Sequence, residues 1–258
     1  MNRGPAELII AHRGESFVAP ENTLAAINLA WKNGAVAVEI DVHLTQDRKI
    51  VVIHDKDTNR TGSQNKTIRK SRFEELRKID VGGFKGLQWK NETIPLLSEV
   101  LQTVPDNGKL VIEIKCGKEI IPHLVTEIKR SKLDISRIEV ISFNIKVLSE
   151  IKKRIPEYKM LWLLELDYKR PAWLVRMSTG RMLRKTVRHK LDGVDVWARK
   201  VLNEDFVARF KSHGLLVYAW TVNDAQTAWK LIEMGVDGIT TNRPGWLRSE
   251  LINRNKDL

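Results

Sequence analysis

The chain has 258 residues, 42% hydrophobic and 29% charged, which gives ample core for one large domain and excludes a minimal or disordered one. A single cysteine, Cys116, excludes an internal disulfide and suits a reducing compartment, and no apolar stretch approaches the ~20 residues of a spanning helix. The balance of 44 Lys and Arg against 32 Asp and Glu, net +12, favours anionic partners such as phosphate esters, acidic lipid or nucleic acid without choosing among them.

Taken in order, Leu8-Ile9-Ile10-Ala11 reads as a short buried strand ending in His12-Arg13-Gly14. Glu21-Asn22-Thr23 opens a helix after Pro20, with Leu24, Ile27 and Trp31 at helical spacing and Asn33-Gly34 as its cap. The β-branched, aliphatic runs 37–45 and 50–54 read as strands. Alternate strand residues share a face, so Glu39, Asp41 and His43 point one way and Val38, Ile40 and Val42 the other. Two carboxylates side by side repel, and burying them unpaired is costly, so they call for a cation. Taken alone, the strand also fits a half-exposed sheet with a polar outer face.

Residues 57–95 are polar and irregular, with Gly62, Gly82, Gly83 and Gly86 and one helical pattern over 73–79, as in a functional excursion or lid. A short helix over 98–104 leads to strand 110–115, where Glu113 and Lys115 share a face. Then helix 118–132, strand 138–143, helix 145–154, strand 160–165 and a basic helical region over 169–190 follow in alternation. Strand 193–197, helix 203–213, strand 215–222, helix 224–234, strand 238–241 and a helix after Pro244 complete about eight strand–helix units. Repeated units of this kind imply a parallel sheet with right-handed crossovers. Eight of them without a linker predict one (β/α)8 TIM barrel over 1–258, with 57–95 inserted within it. An open doubly wound sheet is the alternative, but no G-x-G-x-x-G turn follows the first strand.

In such a barrel, functional side chains gather at the C-terminal ends of strands. His12 and Arg13 end the first strand, Glu39 and Asp41 lie late in the second, and His54 ends the next run. Glu113 and Lys115 end the third, and Trp220 lies late in the seventh. Three carboxylates without a cysteine cluster make a hard, oxygen-rich site, suited to Mg²⁺ or Ca²⁺ rather than structural zinc. Arg13 and Lys115 supply positive charge for a phosphate, and two histidines on separate strands can divide acid and base duties. The combination describes phosphodiester cleavage.

At this point the motifs resemble a known family. His12-Arg13-Gly14, Pro20-Glu21-Asn22-Thr23, Glu39-Ile40-Asp41-Val42, Leu44-Thr45, His54-Asp55 and Arg60-Thr61 look like those of glycerophosphodiester phosphodiesterases. Glu113-Ile114-Lys115, Ser142-Phe143, Trp220-Thr221-Val222-Asn223 and Gly235-Val236-Asp237-Gly238 continue the resemblance in order over nearly the whole chain. It implies a TIM barrel holding one divalent cation, with Glu39, Asp41 and Glu113 as ligands and His12 and His54 as the acid/base pair. It further implies Arg13 and Lys115 on the phosphate, Trp220 on the substrate, Glu21 in support, and 57–95 over the glycerol end. Two departures stand out: Arg48 in a turn where the family usually has Gly, and Thr241-Asn242 in place of Thr-Asp. Neither is expected to touch the catalytic set.

The reaction implied is hydrolysis of glycerophosphodiesters to glycerol 3-phosphate and an alcohol. The alternatives are lysophospholipase D-type cleavage of lysophospholipids at a membrane, or a non-catalytic barrel that binds anionic lipid; the complete acid/base and carboxylate set speaks against the last. No nucleic-acid-binding motif is present. The expected place is the cytoplasm. Residues 168–190 carry eight Lys and Arg and no Asp or Glu, interleaved with Trp, Leu and Met, which predicts either an ordinary outer helix or a peripheral contact with acidic membrane. His43 reads as a solvated strand end, His123, His189 and His213 as surface residues, and Cys116 as structural.

Overall fold

Each aliphatic run becomes a strand of one sheet: β1 (Ile9–His12), β2 (Ala37–Leu44), β3 (Ile50–Val52), β4 (Lys109–Ile114), β5 (Ile138–Ser142), β6 (Lys159–Leu164), β7 (Gly193–Trp197), β8 (Leu216–Trp220) and β9 (Gly238–Thr241). The helices are α1 (Leu24–Lys32), α2 (Phe73–Leu76), α3 (Leu97–Thr103), α4 (Ile121–Ser131), α5 (Ile145–Arg154), α6 (Ala172–Arg188), α7 (Glu204–Lys211), α8 (Ala225–Glu233) and α9 (Pro244–Arg254). The computed structural model describes residues 4–165, 172–199 and 201–254.

β1 pairs in parallel with both β2 and β9, so eight parallel strands close into a barrel. The TIM-barrel expectation holds. β3 stands outside the ring and pairs antiparallel with β2, joining Val42 to Val52.

The period-two pattern sorts the side chains. Val38, Ile40 and Val42 face outward and are fully buried with Leu97, Leu124 and Ile151 of the surrounding helices. Each buried side chain of this kind contributes about 1.5–3 kcal/mol. The inner face is filled low in the barrel by Ile10, Ala37, Val111, Ile141, Leu161 and Tyr218. Glu139, buried in that layer, accepts 2.8 Å hydrogen bonds from the Tyr218 hydroxyl and Lys109 Nζ. The acid in the lower barrel is thereby hydrogen-bonded through both oxygens, and Glu39, Asp41 and Glu113 of β2 and β4 lie above this layer toward the C-terminal end.

Three expectations are corrected. All eight residues of β2 are buried, so it has no solvated polar face, and His43 is not a solvated strand end: it is 8% exposed and donates from Nε2 to the His54 carbonyl at 3.1 Å. Residues 57–95 pack beside the barrel, around Ile68, Phe73, Leu76 and Ile79 against Val51 and Ile53 of the β3 region. Helix α1 starts at Leu24 rather than Glu21, because Thr23 is its N-cap and accepts from Ala26 N at 3.2 Å.

Within the basic stretch 168–190, residues 168–171 lie outside the described residues. α6 runs unbroken through Gly180, with Met182 and Leu183 against the core and Arg181, Arg184, Lys185 and Arg188 exposed. An outer barrel helix runs antiparallel to its strand, so this second half leads away from the C-terminal mouth. No described helix is long and apolar enough to cross a membrane.

Candidate active site

The site is assembled from the first turn outward. After His12 the backbone goes left-handed at Arg13 (φ 57°) and Gly14 (φ 85°). A Cβ at Gly14 would stand 2.5 Å from the Ala26 carbonyl carbon, so only glycine lets this turn lie against α1. The turn aims Arg13 inward. Asn22, also left-handed (φ 60°), then clamps β2: Nδ2 donates to Asp41 Oδ2 at 2.8 Å, and Oδ1 accepts from Asp41 N at 3.1 Å.

Register brings the acids together. Asp41 lies beside Glu113 across β2 and β4, and His12 beside Glu39 across β1 and β2. One oxygen from each of Glu39, Asp41 and Glu113 falls within 4.8 Å of the others, and all three residues are buried. Arg13 Nε lies 3.0 Å from Asp41 Oδ2, and Arg13 N donates to Glu39 Oε2 at 3.1 Å. Lys115 Nζ donates to Glu113 Oε1 at 2.7 Å and lies 3.5 Å from Asp41 Oδ1.

These partners do not serve the three acids equally. Burial raises the Asp41 carboxyl, but Arg13 and Lys115 outweigh it and hold the group down to about 2. Burial, with Asp41 alongside, pushes Glu113 up to about 7, and burial with both acidic neighbours pushes Glu39 well above the carboxylate range. Glu39 Oε1 and Asp41 Oδ1 are buried without a hydrogen bond. Orphaned oxygens on a three-carboxylate cluster are what a hard divalent cation satisfies, so the residues fit the predicted ion.

The histidines flank this cluster with different partners. His12 Nδ1 lies 2.6 Å from Asn242 Oδ1, an acceptor, so Nδ1 carries the hydrogen and Nε2 is left open, 3.9 Å from Glu39 Oε2. Burial and the Arg13 charge push His12 down to about 4, so the ring is neutral near pH 7. The expectation that Asn242 stands apart from the catalytic set is therefore wrong: the chain's last turn orients His12. His54 reaches the site because the β2–β3 hairpin folds back, with Ile53 N donating to Asp41 O at 2.9 Å. Its Nδ1 donates to Asp55 Oδ1 at 2.7 Å, and Asp55 Oδ2 accepts from Arg60 Nε at 2.7 Å. Arg60 also grips both oxygens of Glu21 at 2.7 Å, and Glu21 Oε1 accepts from Arg13 at 2.8 Å. A continuous ionic chain thus joins His54 to Arg13 and Asp41.

A cavity of about 370 Å³ opens over the cluster. One wall is His12, Arg13, Glu39, His54, Glu113 and Lys115; the other is Phe143, Leu163, Trp197 and Trp220. Trp220 stacks on Trp197 (6.1 Å, 17°) and meets Phe143 edge-on (5.8 Å, 86°). None of its lining residues comes from 57–95, so the expected cover lies beside the cavity rather than across it. Residues 12–246 match the glycerophosphoryl diester phosphodiesterase family.

The chain belongs to that family. A glycerophosphodiester phosphodiesterase of Caldanaerobacter subterraneus is 34% identical over 242 residues, covering 92% of this chain and 94% of the relative. A phosphodiesterase of Oleispira antarctica, solved with the product sn-glycerol-3-phosphate, superposes with a TM-score of 0.81 at 30% identity, covering 95% of this chain and 96% of the other. A human lysophospholipase D is 27% identical over 274 residues, covering 95% and 86%.

Within this phosphodiesterase-family site, sequence reasoning missed Asn22, Asp55, Asn242, Phe143 and Asp195. Asn22 and Asp55 adjoin the chosen Glu21 and His54, and Phe143 lay in the quoted Ser142-Phe143 motif; Asn242 was noted only as a departure, far in sequence from the His12 it meets. Asp195 had one signal, an acid in the apolar strand Val194-Asp195-Val196. It forms part of the cavity lining at 2% exposure, and burial keeps its carboxyl raised.

The raised acids give the cation-free protein a definite pH response. A carboxyl whose folded-state value is raised stabilises the fold while protonated; that stability is complete below ~4.5 and is lost as pH rises through the folded value, about 7 for Glu113. Above about pH 7.5 the histidines that burial holds low, His12 and His43, are almost wholly neutral folded or unfolded, leaving the trend to the acids. In chelator, the melting temperature should fall from pH 7.5 to 8.5, and the slope should flatten in Glu39→Gln/Glu113→Gln. A melting temperature that holds or rises over that range in the parent chain contradicts the assignment.

Proposed function

We propose that this chain hydrolyses glycerophosphodiesters to glycerol 3-phosphate and an alcohol, in a reaction dependent on one divalent cation, Mg²⁺ or Ca²⁺. The observation that carries the reading is the cluster of Glu39, Asp41 and Glu113 with its two unbonded buried oxygens, set between two cationic side chains and two differently partnered histidines. The product-bound Oleispira relative supports the substrate class.

Glu39, Asp41 and Glu113 would hold the ion, which when bound neutralises charge on the phosphoryl oxygens. Arg13 and Lys115 bind the phosphate and take up charge as the phosphorus becomes five-coordinate. His12, neutral and hydrogenated at Nδ1, accepts a proton at Nε2 from the attacking hydroxyl, of water or of the substrate's own glycerol, as the new O–P bond forms; where the glycerol attacks, a water then opens the cyclic phosphate to glycerol 3-phosphate with the two histidines' roles exchanged. His54, with the Asp55 carboxylate on Nδ1, donates from Nε2 to the departing alcohol oxygen as its P–O bond breaks. Asn242 and Asp55 are positioning residues that fix which nitrogen of each ring faces the substrate. Glu21 holds Arg13 and Arg60 in place, and Trp220 with Phe143 supplies an apolar wall for the carbon skeleton. Cys116 takes no part: burial pushes its thiol up to about 12, and an unpaired thiol fits action in the cytoplasm.

A second reading, cleavage of lysolipid by the same groups, draws on exposed apolar side chains beside the mouth. Phe17 and Val18, in the loop after β1, are 57% and 50% exposed, and Leu87 of the 57–95 excursion is 86% exposed. Lys85 Nζ ties the two segments together at Ser16 O (2.8 Å). Acidic lipid could meet this rim or the exposed arginines of α6.

Release of alcohol from soluble diesters and from lysolipid, measured side by side, tests both. Excess chelator should abolish turnover and Mg²⁺ or Ca²⁺ restore it. His12→Ala and His54→Ala should each lower kcat by about 10²–10⁴-fold. The double variant should lose less than the product of the two, since groups that act together are not additive. Full turnover in chelator would remove the cation from the account, and near-normal kcat in either single variant would remove that histidine.

A further inference from the structure

Beyond the catalytic cavity lies a larger one, about 670 Å³, on the far side of Lys115 and His43. Its walls are the β2–β3 turn carrying Arg48, Lys56 just after β3, the excursion carrying Arg69 and Lys70, and the loop after β4. Five cationic side chains, Lys115 included, face one acid, Glu119, whose Oε1 accepts from Gly117 N at 3.1 Å. Lys115 lines both cavities.

Two features of this groove bear on an anion. On a +12 chain some cations are matched by acids, Arg60 by Glu21 and Asp55, Arg77 by Glu99, Lys109 by Glu139 and Lys152 by Asp192, while many surface cations are not; here the unmatched ones line a single concavity. Arg48, Lys56, Arg69 and Lys70 form no ion pair and no side-chain hydrogen bond among the described residues. Gathering unmatched like charges around one concavity raises the energy of the empty fold and focuses its field on an anion. Arg48 also occupies a left-handed position (φ 63°) that glycine would take without strain. The chain thus holds an arginine over the groove against both the local backbone preference and its neighbours' charge.

We propose that this groove binds a second phosphoryl group, carried on the alcohol half of a diester whose scissile phosphate lies at Arg13 and Lys115. The inference rests on the phosphodiesterase reading and narrows its substrate class to diesters whose alcohol bears a further phosphate. Lys115, shared by both cavities, places the two anionic groups of one molecule next to each other.

The test compares two substrates that share the bond broken: glycerophosphoglycerol, and bis(glycerophospho)glycerol, which adds one glycerophosphoryl unit to the alcohol. The parent chain should favour the second in kcat/KM by roughly tenfold, the worth of one or two charge-assisted contacts, and 0.5 M salt should reduce that ratio. Arg48→Gly and Lys56→Gln/Arg69→Gln/Lys70→Gln should each bring the ratio towards that of the bare diester pair. Both should leave kcat/KM for glycerophosphoglycerol unchanged. Arg48→Gly relieves the backbone, so its melting temperature should hold or rise, separating loss of preference from loss of fold. A preference in the parent chain of no more than about twofold, which the two equivalent scissile bonds of the second diester give without any groove, or a larger preference that survives both variants, overturns this inference and leaves the phosphodiesterase reading standing. That statistical ratio together with Arg48-dependent binding to phosphatidylglycerol vesicles overturns it in favour of a membrane surface. Turnover of neither diester overturns the phosphodiesterase reading, and this inference with it.

Discussion

Mutual repulsion among three carboxylates governs the open end of the barrel. At an effective dielectric near 20, two unit charges 4 Å apart interact by about 4 kcal/mol, and Glu39, Asp41 and Glu113 bring one oxygen each within 4.8 Å of the others. Arg13 and Lys115 compensate part of this, chiefly at Asp41, and leave Glu39 and Glu113 with raised carboxyls. The surrounding architecture follows from holding those two cations still. Gly14 allows the tight turn that aims Arg13, Asn22 fixes Asp41 from the side, and Glu21 with Arg60 anchors the outer end of the Arg13 guanidinium.

The charge at the mouth stands over an apolar and hydrogen-bonded lower interior. The outward faces of the strands and the helices form a dry aliphatic layer, and the lower interior is filled by Ile10, Val111, Leu161 and Tyr218. Glu139, the acid buried beneath, has both oxygens bonded, unlike Glu39 and Asp41. That contrast separates a structural acid from acids arranged to take a ligand. The same contrast distinguishes the two histidines: His12 has a neutral amide on Nδ1 and His54 a carboxylate, the difference in partners that the proposed division of proton transfer draws on.

The barrel was legible because its signals are local. Period-two alternation in β2, the helical stripe of α1 and repeated strand–helix spacing need no long-range information. So was the inward cluster, since Glu39, Asp41 and Glu113 sit on strands whose other face is purely aliphatic. What escaped depends on distant pairing. Asn242 meets His12 across 230 positions, and nothing near either residue announces it. His43 alternates correctly with Asp41, yet whether such an end is wet depends on the hairpin packed over it, which brings the His54 carbonyl to its ring. The course of 57–95 was hidden because, apart from one helical pattern over 73–79, this polar excursion carries no period to say which surface it packs on; Ile68, Phe73, Leu76 and Ile79 pack on Val51 and Ile53 and not over the cavity.

The central claim is that the carboxylate cluster is a binding site for one hard cation, held partly protonated until the ion arrives. Calorimetric titration of Mg²⁺ or Ca²⁺ into substrate-free chain at pH 7, repeated in buffers of different ionisation enthalpy, tests it most directly. It should give one site per chain with protons released on binding, both abolished in Asp41→Asn and the release reduced in Glu39→Gln. Binding without proton release, or binding that persists unchanged in Asp41→Asn, would contradict it.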